Sequence, residues 1–269
     1  MKRRDFIQLS SIAGLAVATG NACQPSAEKF QQGKSHWPVC LNTSTIRPST
    51  LDQKIKAAVE SGYDGIELWI NELEEYEKTG GNLKELGQQI RESGLFIPNI
   101  IGLWGCMPMA ETEWQESLPA TRERMRCSAE VGSKHVAAIP LPDVADFELI
   151  TGVKRYKELL KIAREEYGII AAFEFVGFFK GISRLGQAAA IALDTDDPDA
   201  CIIMDTFHLY RGGSGYNGIK KLNGNLIANF HWNDLPDAPA REALGDEHRI
   251  FPGDGILPLV QVLRDLKAI

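Results

Sequence analysis

Basic residues form no stripe beyond the first few positions, and Asp plus Glu outnumber Lys plus Arg, 36 to 29. With a formal net charge of -7 and a pI near 5.4, the chain lacks the electrostatic footprint of a nucleic-acid-binding protein. Cysteine is scarce: there are five, at spacings that fit no Cys-rich zinc motif. Cys40, Cys127 and Cys201 fall in apolar strand or helix patterns and Cys106 in a loop, so they read as buried free thiols rather than disulfide partners. A membrane-spanning run is also lacking, because Leu9 to Ala18 is too short and too weakly apolar to cross a bilayer. Low-complexity tracts and a second domain are missing as well. What remains is an ordinary globular composition, 44% hydrophobic and 24% charged. At 269 residues the chain suits one large core better than two domains.

The first residues do not belong to that core. Met1-Lys2-Arg3-Arg4-Asp5-Phe6-Ile7-Gln8 is a twin-arginine pattern, and the apolar run Leu9 to Ala18 follows it. Residues 1–22 therefore read as a Tat export signal, with the periplasm as the expected location. Cys23, after the small residue Ala22, is a candidate for lipidation and hence for membrane attachment. Residues 23–37 are polar and without periodicity, as in a tether or disordered lead-in.

From residue 38 onward the pattern alternates between short apolar runs and amphipathic stretches. Strands are expected at Val39–Thr45, Ile66–Trp69, Ile97–Trp104, Lys134–Pro140, Ile169–Phe175, Cys201–His208 and Leu226–Asp234. Between them lie helical patterns: one capped by Thr50, then Leu83–Ser93, Pro119–Val131, Thr151–Tyr167 and Ser183–Leu193. The acidic stretch Glu72–Lys78 reads as a solvated helical face. Strand and helix in alternation predict a parallel sheet with helices packed over it. After the seventh strand and one helix, Leu257–Lys267, the sequence stops. The fold expected is therefore a TIM (βα)8-type barrel over residues 38–269, with the eighth βα unit missing from this chain. A longer natural protein would be expected to supply it.

The last three apolar runs end in residues that can bind a metal or move a proton. One run ends in Glu174, the next in Asp205 and His208, the third in His231 and Asp234. Polar residues at the ends of parallel strands collect on one rim, where such barrels build their active sites. Two carboxylates and an imidazole there suit a divalent cation: Mn2+, Co2+ or Mg2+ by donor hardness, with Zn2+ as the alternative. Glu67 is a candidate hydrogen-bonding group within the rim, and Asp234 a candidate for orienting His231. Trp104, Met107, Met109 and Trp114 are candidates to wall a sugar-sized pocket, with plain packing the competing reading.

Glu174, then Asp205-Thr206-Phe207-His208, then His231, in that order on successive strand ends, resemble the xylose-isomerase-like TIM-barrel superfamily of sugar isomerases and epimerases. Arg249-Ile250-Phe251-Pro252-Gly253-Asp254-Gly255 is similar to that family's Arg-x-x-Pro-Gly-x-Gly segment. The resemblance implies Glu174, Asp205 and His231 as metal ligands, Glu174 also as acid/base, and His208 as a substrate contact. It also implies a fourth ligand, a Glu on strand eight, for which this chain has no counterpart. Arg249 is expected to bind a substrate oxygen, aimed by the turn at Pro252 and Gly253. The substrate expected is a small carbohydrate. The acidic balance argues against the family's DNA-repair branch. Where the ketose epimerases carry a second substrate-binding Glu, this chain has Lys180, which leaves room for an acidic or oxidised sugar. The expected reaction is isomerisation or epimerisation through proton abstraction beside a carbonyl, giving an enediolate. Two alternatives stay open: a metal-dependent lyase or hydrolase on keto-sugars or glycosides, and a non-catalytic carbohydrate-binding barrel. Nothing in the sequence fixes the oligomeric state.

Overall fold

The computed structural model describes residues 35–140, 144–145 and 147–269. The expected export signal, Cys23 and most of the polar lead-in lie outside the described residues. Seven strands lie side by side in chain order: β1 (Cys40–Asn42), β2 (Gly65–Trp69), β3 (Asn99–Trp104), β4 (His135–Ile139), β5 (Ile170–Glu174), β6 (Ile202–Asp205) and β7 (Ile227–His231). Every neighbouring pair is parallel. The sheet curls far enough for a side chain of β2 to bond side chains of β7: Glu67 accepts from Asn229 at 2.6 Å. This is a TIM-barrel-like fold. Among the described residues, β1 and β7 are not laddered to each other.

Eight α-helices connect and cover the sheet among the described residues. They are α1 (Leu51–Glu60), α2 (Ile70–Lys78), α3 (Leu83–Glu92), α4 (Glu111–Glu130), α5 (Leu149–Ile162), α6 (Leu185–Asp194), α7 (Thr206–Arg211) and α8 (Leu259–Ala268). Local signals explain several boundaries. The Thr50 hydroxyl accepts from the Gln53 amide while the Gln53 side chain accepts from the Thr50 amide, a reciprocal cap that starts α1. A π-helical turn, Ala163–Tyr167, prolongs α5 to Gly168.

Alternation along the strands sorts side chains into two layers. Ile66, Leu68, Ile100, Val136, Ala171, Phe173 and Ile202 point toward the helices and join the main core. Ile101, Ala137, Ile139, Ala172 and Ile203 point inward and fill the barrel's middle. Each large buried aliphatic or aromatic side chain contributes roughly 1.5–3 kcal/mol by leaving water. The inward set continues with Glu67, Glu174, Asp205, Asn229 and His231, each two residues along from an inward position or the strand end. The same parity that builds the inner core therefore delivers the polar groups to one rim.

The strand order agrees with the sequence reading, and three details differ. β1 is only three residues long, because Asn42 accepts from the Ser44 amide and turns the chain into a short 3-10 helix, Thr43–Ile46. The helix expected to begin at Pro119 begins at Glu111 and contains Pro119 in its interior. An interior proline costs about 3 kcal/mol, and packing of the turn before it offsets the cost. Trp114 is buried under the Arg155 guanidinium, 4.8 Å away, and Arg155 also reaches Glu111 at 2.9 Å. That packing makes Trp114 a core residue rather than a pocket wall. Met107 is buried as well. Of the four candidate wall residues, Trp104 stays exposed on the rim, tilted against Trp69 with ring centroids 5.7 Å apart, and Met109 is partly buried. The four described cysteines are free thiols, Cys40 partly buried and the others buried.

Candidate metal and proton-transfer centre

His231 stands at the middle of the rim. Its Nε2 lies 3.0 Å from one Glu67 oxygen and 3.1 Å from the other. Its Nδ1 faces Glu174 Oε1 at 3.4 Å and Asp205 Oδ2 at 3.6 Å. The structure thus brings together the three expected ligands on consecutive strands β5, β6 and β7. All three carboxylates around the ring are nearly sealed from water: Glu67 is 2% exposed, Glu174 5% and Asp205 3%.

Their environments differ. Burial alone would push Glu67 up, but the charge and hydrogen bond of His231, with bonds from Asn99 and Asn42, hold it below the usual carboxylate range. Burial likewise presses on Asp205, and the Arg249 guanidinium, His208 and His231 overcome it, leaving its carboxyl well below that range. Glu174 goes the other way. Burial raises it, His231 offsets only part, and the neighbouring Glu67 and Asp205 add to the rise. Its Oε2 is buried without a hydrogen-bond partner. Burial opposes charge on His231 too, yet Glu67 first, then Asp205 and Glu174, hold it well above the ordinary imidazole value.

Asp205 also caps α7, its Oδ1 accepting from the amides of Phe207 and His208. Arg249 bonds both Asp205 oxygens, at 3.0 and 2.7 Å, stacks 4.3 Å over Phe207, and reaches His208 Nε2 at 3.4 Å. So Arg249 and His208 do lie in the centre, as expected, with Arg249 paired to a carboxylate in this structure. His208 is buried, its Nδ1 is without a partner, and burial lowers it to about 4, so the ring is neutral near pH 7.

Asp234 does not orient His231. Its Oδ2 accepts from the amides of Gly253 and Gly255, and its Oδ1 from those of Leu235 and Leu257. β7 ends at His231, so alternation no longer governs residue 234, and its carboxylate turns to the 253–257 segment. Gly253 has φ 98° there, and a Cβ at Gly255 would strike the Leu235 carbonyl oxygen. Asp234 also pairs with Ile250 through both backbone groups. The Arg249–Gly255 segment is thereby moored beside β7, which aims Arg249 at Asp205.

Sequence reasoning underrated Glu67 and missed Asn42, Asn99 and Asn229. A signal was available. Asn229 interrupts an apolar run two residues before His231, and so shares its face; Glu67 interrupts Ile66–Leu68 in the same way.

The donor chemistry suits a cation: one oxygen each of Glu174 and Asp205 faces the Nδ1 side of one imidazole, and Glu174 Oε2 is a buried acceptor that no described group satisfies. Elsewhere, donor atoms of Glu77, Glu123 and Cys127 lie within 4.8 Å of one another. Arg126 sits among them, 2.7 Å from Glu77 and 2.6 Å from Glu123, and burial pushes the Cys127 thiol up to about 12. That cluster is an ion pair between helices.

Parallel strands whose C-terminal ends gather acids and an imidazole on one rim define the class: α/β-barrel proteins with a rim site. Within it, the chain belongs to the xylose isomerase-like TIM-barrel family, whose pattern matches residues 55–269. It is similar to inosose isomerase of Bacillus velezensis, 28% identical over 240 residues covering 86% of this chain and 84% of the relative. Inosose isomerase of Bacillus subtilis is 28% identical over 251 residues, with 86% and 84% covered. Among solved structures, that of the IolI protein with a bound zinc atom superposes with a TM-score of 0.75 at 26% identity, covering 87% of this chain and 85% of the other. A D-psicose 3-epimerase structure with D-fructose shares the fold, with a TM-score of 0.68 at 14% identity over 87% of this chain and 81% of the other.

Proposed function

We propose that this chain is a metal-dependent isomerase that moves a proton beside the carbonyl of a polyhydroxy ketone, with ketones of the inosose kind the substrate class. The observation that carries it is Glu174: buried, raised above the usual carboxylate range, and with Oε2 free while Oε1 faces His231. A general base must lie within reach of the proton it takes, and Glu174 Oε2 is the buried carboxylate oxygen of this rim left without a partner among the described residues. Glu174, Asp205 and His231 would hold the cation, which when bound polarises a carbonyl and acidifies the adjacent C–H. The sugar-isomerase and epimerase names among the relatives support the enzyme class, and the zinc in the IolI structure supports a divalent metal.

The chain's own residues account for the rest of the step. Glu174 Oε2 takes the proton from the carbon beside the carbonyl, and the substrate becomes an enediolate. The same carboxyl returns the proton to the neighbouring carbon while the hydroxyl proton passes from the second oxygen to the first, so the carbonyl moves by one position. Arg249, charged and stacked on Phe207, binds a substrate oxygen as a hydrogen-bond donor. His208, neutral, offers its unpaired Nδ1 to a hydroxyl. Trp69 and Trp104 give the rim an apolar face that suits the C–H side of a sugar ring. The twin-arginine start supports work in the periplasm.

Elimination of water begins with the same proton abstraction. A 3-dehydroshikimate dehydratase of Pseudomonas putida, 21% identical over 81% of this chain and 34% of that protein, favours keeping this second reading. The test is a panel of inososes and ketoses in deuterated water. Isomers of unchanged composition that carry deuterium at carbon support isomerisation. Products short by one water replace it with the lyase reading, and a panel that exchanges nothing rejects both.

A further inference from the structure

The carboxylate on β2 sits opposite the face of His231 that the proposed metal would use, and nothing in the mechanism so far employs it. Glu67 is fully ringed by donors. Asn42 Nδ2 reaches its Oε2 at 2.6 Å, Asn99 Nδ2 its Oε1 at 2.9 Å, and Asn229 Nδ2 its Oε1 at 2.6 Å. These amides come from β1, β3 and β7, so three strands converge on one side chain. A carboxylate is an acceptor at both oxygens, and only an acceptor satisfies four donors at once. An apolar residue at this inward position would pack with the inner core at no such cost in desolvated polar groups. The arrangement therefore points to a task at the fourth contact, His231 Nε2, 3.0 Å away.

We infer that Glu67 is the positioning residue that fixes the proton of His231 on Nε2 and so presents Nδ1 to the metal, held in place by Asn42, Asn99 and Asn229. This rests on the proposed metal-dependent function and names the nitrogen that serves it. Nε2 faces a carboxylate that already takes three other hydrogen bonds and has only acceptor capacity to offer, so Nε2 must carry hydrogen. In the neutral ring Nδ1 then holds the lone pair, and Nδ1 is the atom that looks toward Glu174 Oε1 and Asp205 Oδ2. A carboxylate behind a metal-binding imidazole also raises its basicity and locks its orientation, and losing such a partner typically costs about 10–100-fold in metal affinity.

The experiment uses Zn2+ as probe and the whole chain. Equilibrium dialysis gives Zn2+ affinity for the wild type and for Glu67→Gln. Long-range 1H–15N correlation spectra of the Zn2+-loaded, 15N-His-labelled wild type read the tautomer, with His231 assigned by its loss in His231→Asn. The expected result is a His231 protonated at Nε2 and coordinated through Nδ1, with affinity in Glu67→Gln lower by about 10–100-fold. A His231 coordinated through Nε2 overturns the inference, and so does an unchanged affinity and tautomer in a folded Glu67→Gln. If Glu67→Gln does not fold, the wild-type spectrum decides alone. A wild type that binds no Zn2+, Mn2+ or Co2+ overturns the proposed function along with the inference, whereas binding through the other nitrogen leaves that function standing.

Discussion

The two sides of the rim treat the same chemical group in opposite ways. On the β2 side, Glu67 is surrounded by three amides and the Nε2 edge of His231, and is held below the usual carboxylate range despite its burial. On the β5 side, Glu174 is equally buried and meets the other edge of the same ring, but has one oxygen without any partner and is raised. Both are inward-facing glutamates on parallel strands of one sheet. The difference lies in how many donors the neighbouring strands supply. Environments that push paired titratable groups apart suit them to different roles: under the proposed function Glu67 is the group that holds and Glu174 the group that would move a proton.

Glu174→Gln breaks the working side and should have the largest effect. It removes the base while keeping the shape, so C–H exchange falls by ~10²–10⁴. Because Glu174 is also a proposed ligand, metal content is measured in the same preparation; unchanged exchange with metal retained would remove Glu174 from its role. Glu67→Gln is the opposite case, losing metal affinity first.

Acidity probes both sides together. His231 is raised above the ordinary imidazole value by Glu67, Asp205 and Glu174 against its burial, so those carboxylates favour the protonated ring in the metal-free protein. Metal binding must release that proton. Zn2+ affinity should therefore climb with pH, by up to about tenfold per unit, until the raised pKa is passed. Stability of the metal-free protein should run the other way. A raised group contributes stability that is complete below its unfolded value, ~6.5, and is lost as pH rises through the folded value. Denaturant titrations of the metal-free protein across that window give the slope, and a metal-free stability that rises there would contradict an imidazolium held by three carboxylates.

The smallest effect concerns the mooring of Arg249. Asp234→Ala leaves four amides around residues 235–257 without their acceptor. Unpaired buried donors cost ~1–3 kcal/mol in all if the loop can partly rehydrate. Urea unfolding measures the loss, and the weakened aim of Arg249 should show as a higher KM with little change in kcat. A lower kcat at unchanged KM would place Asp234 closer to the chemistry than this structure does.

Much of this was legible in the sequence, for a physical reason. A parallel strand buried on both faces is an unbroken apolar run, so the residue at which the run gives out is a rim residue, and Glu174, Asp205 and His231 were found that way. Polar residues inside a run are harder to read. Glu67 and Asn229 look like interruptions until the curl of the sheet sets β2 against β7, and no local pattern encodes that curl. Asp234 misled because nearness in sequence to His231 suggested nearness in function, while the strand had already ended. The start of α4 was hidden by Pro119, whose local penalty is outweighed by the packing of Trp114 against Arg155, a contact between distant parts of the chain.

The central claim, proton transfer by Glu174 in the service of a bound divalent cation, is tested most directly by following deuterium from solvent into carbon-bound positions of an inosose. The same protein is measured as purified, after exhaustive chelation, and after reloading with Mn2+ or Co2+. The account predicts that exchange disappears on chelation and returns on reloading. Exchange at the full rate in verified metal-free protein would contradict it.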